Sequence, residues 1–322
     1  MEPIYSLVVS EPLRSNGILT CPSRRPSERR LRMLMFGHLT IPSRLVRSWP
    51  ERARFALRRY MRRFSEAKQF RDLEREHRDH CWCGGRLGPF EWHRSYGVCQ
   101  ECGTYVNRRP LRPDQLNRLY SFDLYWHQRQ QSKGYPTIEH RSAHDRSDGR
   151  VDYWLNLIEQ YGPSSGRVIE VGCAHGVLLT ELHNHGFDGI GVEPDEQTAR
   201  WARESLNLDI RSGLFPSVEL PSCNLFLAFD VLEHSHAPLE FFRRIAQLLL
   251  PNGIAILQTP VDRYDFCPPF GERFEAAFDD LEHLYLFTDK SICKLAQASG
   301  LEVVSLKERL WLHHEICVLR KG

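Results

Sequence analysis

The sequence has no apolar run near the roughly 20 residues that span a bilayer. Runs such as LFLAF at 225–229 are far shorter, so no segment is expected to cross a membrane. The start, MEPIYSLVVSEPL, lacks a basic stretch leading into an apolar one, and no secretory signal is expected. Glu28, Glu51 and Glu66 among the following arginines argue against a transit peptide. Internal repeats and low-complexity tracts are missing too. Ten cysteines are too few for a disulfide scaffold in 322 residues. Four of them fall within residues 81–102, which points to a metal and to a reducing, cytoplasmic compartment.

With 41% hydrophobic and 26% charged residues, collagen-like, mucin-like and wholly disordered classes are excluded. The length suggests two domains plus extensions. The net charge of +2 conceals an asymmetry: residues 1–80 hold 18 Lys or Arg against 9 Asp or Glu, a net +9, which leaves −7 for the remainder. Head and body are therefore expected to face different partners.

Three segments follow from composition. Residues 1–78 form a basic, partly helical extension; 79–147 hold the cysteine cluster and a polar, aromatic-rich linker; 148–322 form a larger α/β domain. From Arg44 to about His77, Leu45, Val46, Trp49, Phe55, Leu57, Tyr60, Met61 and Phe64 alternate with arginines at helical spacing, with a break at Pro50. Such a helix could touch an anionic membrane surface peripherally or bind nucleic acid, or simply pack on its own protein with a solvated arginine face.

From about Asp148 onward, short apolar runs alternate with amphipathic helices. RVIEVGC precedes a helix from about Val177, DGIGVEP one from Asp195, and LDIRSG and CNLFLAFD lead to a helix from about Ala237 to Leu250. GIAILQTPV and a helix from Lys290 to Ser299 follow, then LEVVSLKERL and LWLHHEICVLR. This alternation predicts a parallel sheet covered on both faces. The last two runs lie too close for a crossover and should pair antiparallel at one edge. In the helix at 237–250, Leu239, Phe242, Ala246 and Leu249 line the expected core face, and Pro251, Asn252 and Gly253 should end it.

The run VIEVGCAHG, 168–176, sets Glu170 at the end of a buried strand and Gly172 and Gly176 in the turn before a helix. A dinucleotide site would show G-x-G-x-x-G and a pyrophosphate on the helix N-terminus. Here the spacing is G-x-x-x-G. A carboxylate two residues before the first glycine repels pyrophosphate but suits a ligand with an amino group and a sulfonium, namely S-adenosylmethionine. Glu193, 21 residues after Gly172 at the next strand end, can accept both ribose hydroxyls.

These blocks, with FDVLEHSHAP (229–238) and LLLPNGIAILQTP (248–260), resemble the class I S-adenosylmethionine-dependent methyltransferases across residues 150–322. The resemblance implies a Rossmann-like, doubly wound, mostly parallel seven-stranded sheet with one reversed strand. It also implies that Glu170, Gly172, Cys173 and Gly176 cradle the methionine end, that Gly213 and Leu214 flank the adenine, and that Asp230 sits beside the reactive methyl. Ala174 stands where the motif commonly has its middle glycine, a change that costs little if its φ is negative.

Cys81, Cys83, Cys99 and Cys102 form C-x-C and C-x2-C-G pairs separated by 15 residues, a pattern that can converge on a structural, tetrahedral zinc ion. The usual first knuckle, C-x2-C-G, would use His80 in place of Cys81, so one ligand stays open. The stretch CQECGTYVNRRPLRPDQLNRLYSFDLYW resembles the zinc-binding N-terminal module of some bacterial sugar and small-molecule methyltransferases. In those enzymes tyrosines after the module can touch substrate. Tyr125 holds that position, or it packs between modules.

Methyl transfer needs a base only where the acceptor carries a proton. Two Glu-His pairs, Glu233 with His234 and Glu282 with His283, are expected at carboxyl ends of strands, where each acid would raise its histidine's pKa or orient the ring. His283, Glu282 and His234 are the catalytic candidates. Each histidine can instead be a structural contact at the sheet end. The second pair resembles the Glu-His pair of sugar C-methyltransferases, but Asp280 replaces their tyrosine and the chain stops after the sheet. The expected acceptor is a small molecule or carbohydrate, an oxygen or carbon of a sugar or glycan precursor, with oxygen favoured. A nucleic-acid methyltransferase and a non-catalytic scaffold are the competing classes. FDVLEH, rather than Asn/Asp-Pro-Pro-aromatic, at the fourth strand end argues against the first. Intact acids at 170 and 193 argue against the second.

Overall fold

The computed structural model describes residues 70–132, 134–260, 277–308 and 314–322. The expected basic helix lies outside them as far as Gln69. Its last stretch is not helical: from Phe70 to His80 the chain runs as a turn and an extended strap. Arg75 bridges Leu111, and the Arg78 amide donates to the Arg108 carbonyl. After Phe70 and Leu73 no apolar residue continues a helical stripe in this stretch, and the strap pairs with the chain ahead of it.

The strap leads into short strands β1 (Leu87–Pro89), β2 (Tyr96–Cys99) and β3 (Tyr105–Asn107), joined antiparallel. The stretch read as a linker is largely helical. It contains α1 (Pro113–Leu119), opened by Pro113 in its first turn, and α2 (Phe122–Arg129), a wide helix in which Gln130 N–H reaches back to Tyr125. Next come α3 (Ile138–Ser147), capped by the Thr137 side chain, and α4 (Arg150–Tyr161). Tertiary contacts hold α2: the Phe122 amide donates to Asp195, and Arg129 is buried against Asp279.

The α/β part runs β4 (Gly166–Val171), α5 (Val177–Asn184), β5 (Phe187–Glu193), α6 (Glu196–Leu206), β6 (Asp209–Ser212), β7 (Cys223–Phe229), α7 (Pro238–Leu248) and β8 (Leu249–Pro260). After these come β9 (Tyr285–Leu286), α8 (Asp289–Ala298), β10 (Leu301–Glu308) and β11 (His314–Lys321). The sheet order is β10-β11-β8-β7-β4-β5-β6. The strands from β6 to β8 are parallel, while β11 runs antiparallel to both β8 and β10. The antiparallel pair at one edge and the single reversed strand are thus as expected. Central β7 is almost wholly buried, as a strand covered on both faces must be.

Two local expectations change. In α7 the buried stripe is Pro238, Phe241, Phe242, Ile245 and Leu248, with Leu239 and Ala246 at its edge. Leu249 already belongs to β8, opposite Cys223, so Pro251–Gly253 bulge within the strand rather than ending the helix. The other difference is β9, which pairs antiparallel with β3 and makes a four-stranded sheet of the cysteine module, Tyr105 opposite Leu286. Phe70–Gly322 therefore packs as one unit. Among the described residues no helix is long and apolar enough to cross a membrane.

Candidate functional site

The order of the sheet reverses at β4, which sends its neighbours β5 and β7 in opposite directions and opens a crevice at their carboxyl ends. The turn after β4 fills that end. Gly172 and Gly176 have φ of +71° and +75°. A Cβ on Gly172 would stand 2.5 Å from Val231, and one on Gly176 2.5 Å from the end of the Leu208 side chain, so at these φ values a side chain at either position would be strained. The turn is tied to the tip of β5, with the Gly172 amide donating to the Val192 carbonyl at 2.8 Å.

Ala174 overturns the condition under which it would be harmless, because its φ is +50°. The left-handed region costs an L-residue about 1–2 kcal/mol, and glycine returns about 0.4–1 kcal/mol as unfolded-state entropy. Ala174→Gly is therefore expected to stabilise the fold by about 0.5–1 kcal/mol, seen as a higher urea midpoint. An unchanged or lower midpoint would show that the strain is relieved elsewhere.

Glu170 and Glu193 sit at adjacent strand tips, each 6% exposed. Glu193 Oε2 accepts from the Ala174 amide and Oε1 from the Asp195 amide, both at 3.1 Å. Each oxygen keeps a second lone pair for a ligand hydroxyl. Glu170 Oε2 is buried without a hydrogen-bond partner among the described residues. Burial pushes both carboxyls up to about 8. The expected negative rim is thus, without ligand, a largely protonated pair that a cationic ligand would ionise.

Gly213, with φ +142°, donates to the Glu193 carbonyl, and the next residue, Leu214, is 40% exposed, available to flank a flat ring. Cys173 differs from expectation: its side chain is buried in the apolar core, so only its backbone could meet a ligand. Asp230 has φ +58° and accepts from Gln258 Nε2 at 2.8 Å, while Gln258 Oε1 accepts from Trp154 Nε1. Sequence reasoning missed Gln258, although a lone amide in the apolar run GIAILQTP is a visible signal. It also missed His175, 3% exposed, neither ring nitrogen hydrogen-bonded among the described residues; burial pushes its pKa down to about 4.

The two expected Glu-His pairs converge, in a different way from that foreseen. The His234 and His283 rings lie 5.0 Å apart. His234 Nδ1 is 2.9 Å from the Glu282 carbonyl and His283 Nδ1 is 3.0 Å from the Ala277 carbonyl. A carbonyl only accepts, so both Nδ1 atoms carry protons, and in the neutral form of each ring the lone pair is at Nε2. The Glu282 carboxylate is engaged by buried Arg129, and Glu233 accepts from Thr259 at 2.9 Å. Contrary to expectation, His234 is not raised: burial, helped by neighbouring His283, outweighs the raising effect of Glu282 and pushes it down to about 4. The Tyr120 hydroxyl is buried without a hydrogen-bond partner among the described residues, its ring edge-on to His234 and to Tyr125. Asp280 faces the cysteine module, accepting from Ser95.

The four cysteines meet. Cys81 and Cys102 sulfurs are 3.6 Å apart, Cys83 and Cys99 3.5 Å, and all four lie within 4.8 Å of one another. These are not disulfides. Bonds of about 2.3 Å to a tetrahedral cation put sulfurs about 3.8 Å apart, so the quartet fits one. His80 is exposed and outside the quartet. The same module holds the second Glu-His pair: Tyr96 Oη donates to the His283 carbonyl at 2.7 Å, and Asn107 Nδ2 to the carbonyls of Asp280 and His283.

Adjacent buried acids, with no phosphate-binding glycine pattern and a reversed β11 inside a seven-stranded sheet, place this chain in a class: the Rossmann-like, S-adenosylmethionine-dependent methyltransferase fold. The chain belongs to the methyltransferase-domain family, whose model matches residues 142–306. Among curated relatives, it is 29% identical over 99 residues to a ubiquinone biosynthesis O-methyltransferase of Bradyrhizobium diazoefficiens, 29% of this chain and 39% of that protein. It is 29% identical over 128 residues to a tRNA U34 carboxymethyltransferase of Idiomarina loihiensis, 36% of this chain and 39% of the relative. The match thus spans about two-fifths of these relatives' length. A solved structure, the mitomycin 7-O-methyltransferase MmcR, is similar at 17% identity and a TM-score of 0.49, over 64% of this chain and 60% of that one.

Proposed function

We propose that the protein transfers a methyl group from S-adenosylmethionine to an oxygen of a small-molecule or carbohydrate acceptor. The observation that carries the donor half is Glu170, a buried carboxyl with an oxygen lacking a hydrogen-bond partner among the described residues, beside Glu193 with lone pairs to spare. The donor supplies an electrophilic methyl on a sulfonium. Glu193 accepts its ribose hydroxyls, Glu170 offsets its positive charge, Gly172 and Gly176 let the backbone approach, and Leu214 flanks the adenine beside Gly213. Asp230 sits at the methyl end. His234 and His283, with Nε2 lone pairs, lower the free energy of removing a hydroxyl proton from the acceptor, which an ether-forming step requires. Arg129 locks Glu282 and with it the segment that carries His283.

An oxygen acceptor is also a transformation named for relatives. Its test is a screen with methyl-labelled donor against cell extract: label is expected in the small-molecule and glycan fractions, and label confined to RNA would overturn the reading. We further propose that zinc fills the cysteine quartet as a structural ion. Peripheral membrane contact through the head concerns residues outside those described.

A pH dependence follows from the two glutamates. Their folded pKa values, about 8, lie above the ordinary 4.5, so the folded protein holds more protons than the unfolded chain between those limits. Without donor, stability is expected to fall as pH rises through that window. Donor binding needs the ionised forms, so affinity is expected to climb from pH 6 to 8, by up to about tenfold per unit for each carboxyl, and then level. Calorimetry across this range checks it. A flat profile would mean that the carboxyls are already ionised.

A further inference from the structure

We propose that Glu233, His234 and His283 form a binding site for a divalent transition-metal ion at the acceptor end of the crevice, separate from the cysteine quartet. Glu233 and His234 come from the turn after β7, His283 from the segment before β9. Their ligand atoms lie within 4.8 Å of one another, and His234 Nε2 is 3.8 Å from Glu233 Oε1. Bonds of about 2.0–2.2 Å to one ion place neighbouring ligand atoms about 3–3.5 Å apart, so a shift of a few tenths of an ångström closes that edge.

The surroundings are those a metal ligand needs. Each histidine donates its Nδ1 proton to a backbone carbonyl, which fixes the ring and the tautomer that leaves Nε2 as a donor to a metal. Thr259 donates to Glu233 Oε2 and turns the other oxygen toward His234 Nε2. In the neutral ring those two facing atoms are both lone-pair bearers, an arrangement that a shared cation stabilises. Two imidazoles and one carboxylate select a borderline ion of the Mn2+ to Zn2+ series and leave coordination positions open. Tyr120, its buried hydroxyl lacking a hydrogen-bond partner among the described residues, stands edge-on to His234 beside them.

Binding of the ion stands on this geometry alone; its use rests on the oxygen-acceptor reading. An acceptor with two adjacent oxygens, a vicinal diol or an ortho-diphenol, would occupy the open positions. The bound hydroxyl loses its proton to water, and its oxygen forms the new bond to the methyl carbon. The carbon–sulfur bond breaks with its pair on sulfur. With the ion bound the imidazoles are ligands and no longer proton acceptors, and the ion takes over from them the task of easing removal of the hydroxyl proton.

The test titrates Mn2+ into the full chain, its cysteine quartet already filled with zinc, and follows free Mn2+ by electron paramagnetic resonance. A single Mn2+ per chain is expected. His283→Ala, His283→Gln and Glu233→Gln should each weaken it by about 10-fold or more, and Asp148→Asn, in the separate His144–Asp145–Asp148 group, should leave it unchanged. Absence of binding by the folded wild type, or equal binding by the His283 variants, overturns the site. Titrating S-adenosylmethionine into the same samples separates failure of this site from failure of the donor assignment.

Discussion

Glu193→Gln is expected to reduce S-adenosylmethionine affinity by about 100-fold while leaving the fold intact. The carboxylate offers one lone pair per oxygen to the backbone amides of Ala174 and Asp195 and one per oxygen to ligand hydroxyls. An amide in its place can accept at only one end, and its NH2 faces a donor N–H. Two charge-assisted hydrogen bonds weakened at about 1.5 kcal/mol each give about 3 kcal/mol, or two decades. The neutral amide is isosteric with the protonated acid that burial already favours, so unfolding by urea should lose no more than the roughly 1–3 kcal/mol of the one backbone N–H left without an acceptor. Affinity within threefold of the wild type would remove Glu193 from the donor site.

On the proposal that the cysteine quartet holds a structural zinc ion, stripping that ion is expected to release the acceptor side without touching the donor side. Structural zinc contributes about 10–16 kcal/mol to small folds at neutral pH, far more than a four-stranded sheet of two- to four-residue strands can supply by itself. That sheet includes β9, and it anchors the His283 segment through Tyr96 and Asn107. The backbone carbonyl of Cys102, a member of the quartet, also accepts from Thr288, the cap of α8. Chelation, or Cys102→Ser, should therefore abolish hydrogen-exchange protection in β2, β3 and β9 and lower methyl transfer by 100-fold or more, the scale of one lost acid–base group. Amides of β4 and β5, and donor affinity, should persist. Unchanged protection in β9 after metal removal would show that the sheet stands without an ion.

What the sequence revealed and what it hid divide along physical lines. The β4–α5–β5 unit was legible because apolar runs, a glycine turn and two acids act locally, each within a few residues. The quartet was legible because a C-x-C and a C-x2-C-G lie close in the chain. The helix α2 was not: its register lacks a one-sided apolar stripe, and it is held by Asp195 and Asp279, distant in sequence. Two-residue β9 is too short to leave a pattern. The two Glu-His pairs were visible as pairs, but the capture of Glu282 by Arg129, more than 150 residues earlier, decides what each acid does. The backbone of Ala174 was hidden because residue type alone does not report φ.

The central claim is a pocket at the β4 and β5 tips that ionises to receive a cationic methyl donor and has no place for phosphate. Calorimetric titration of the folded full chain at pH 8, with S-adenosylmethionine in one arm and a nicotinamide dinucleotide in the other, tests it most directly. The expected result is saturable binding of the first with release of protons to the buffer, and none of the second. Binding of the dinucleotide, or silence toward S-adenosylmethionine, would contradict it.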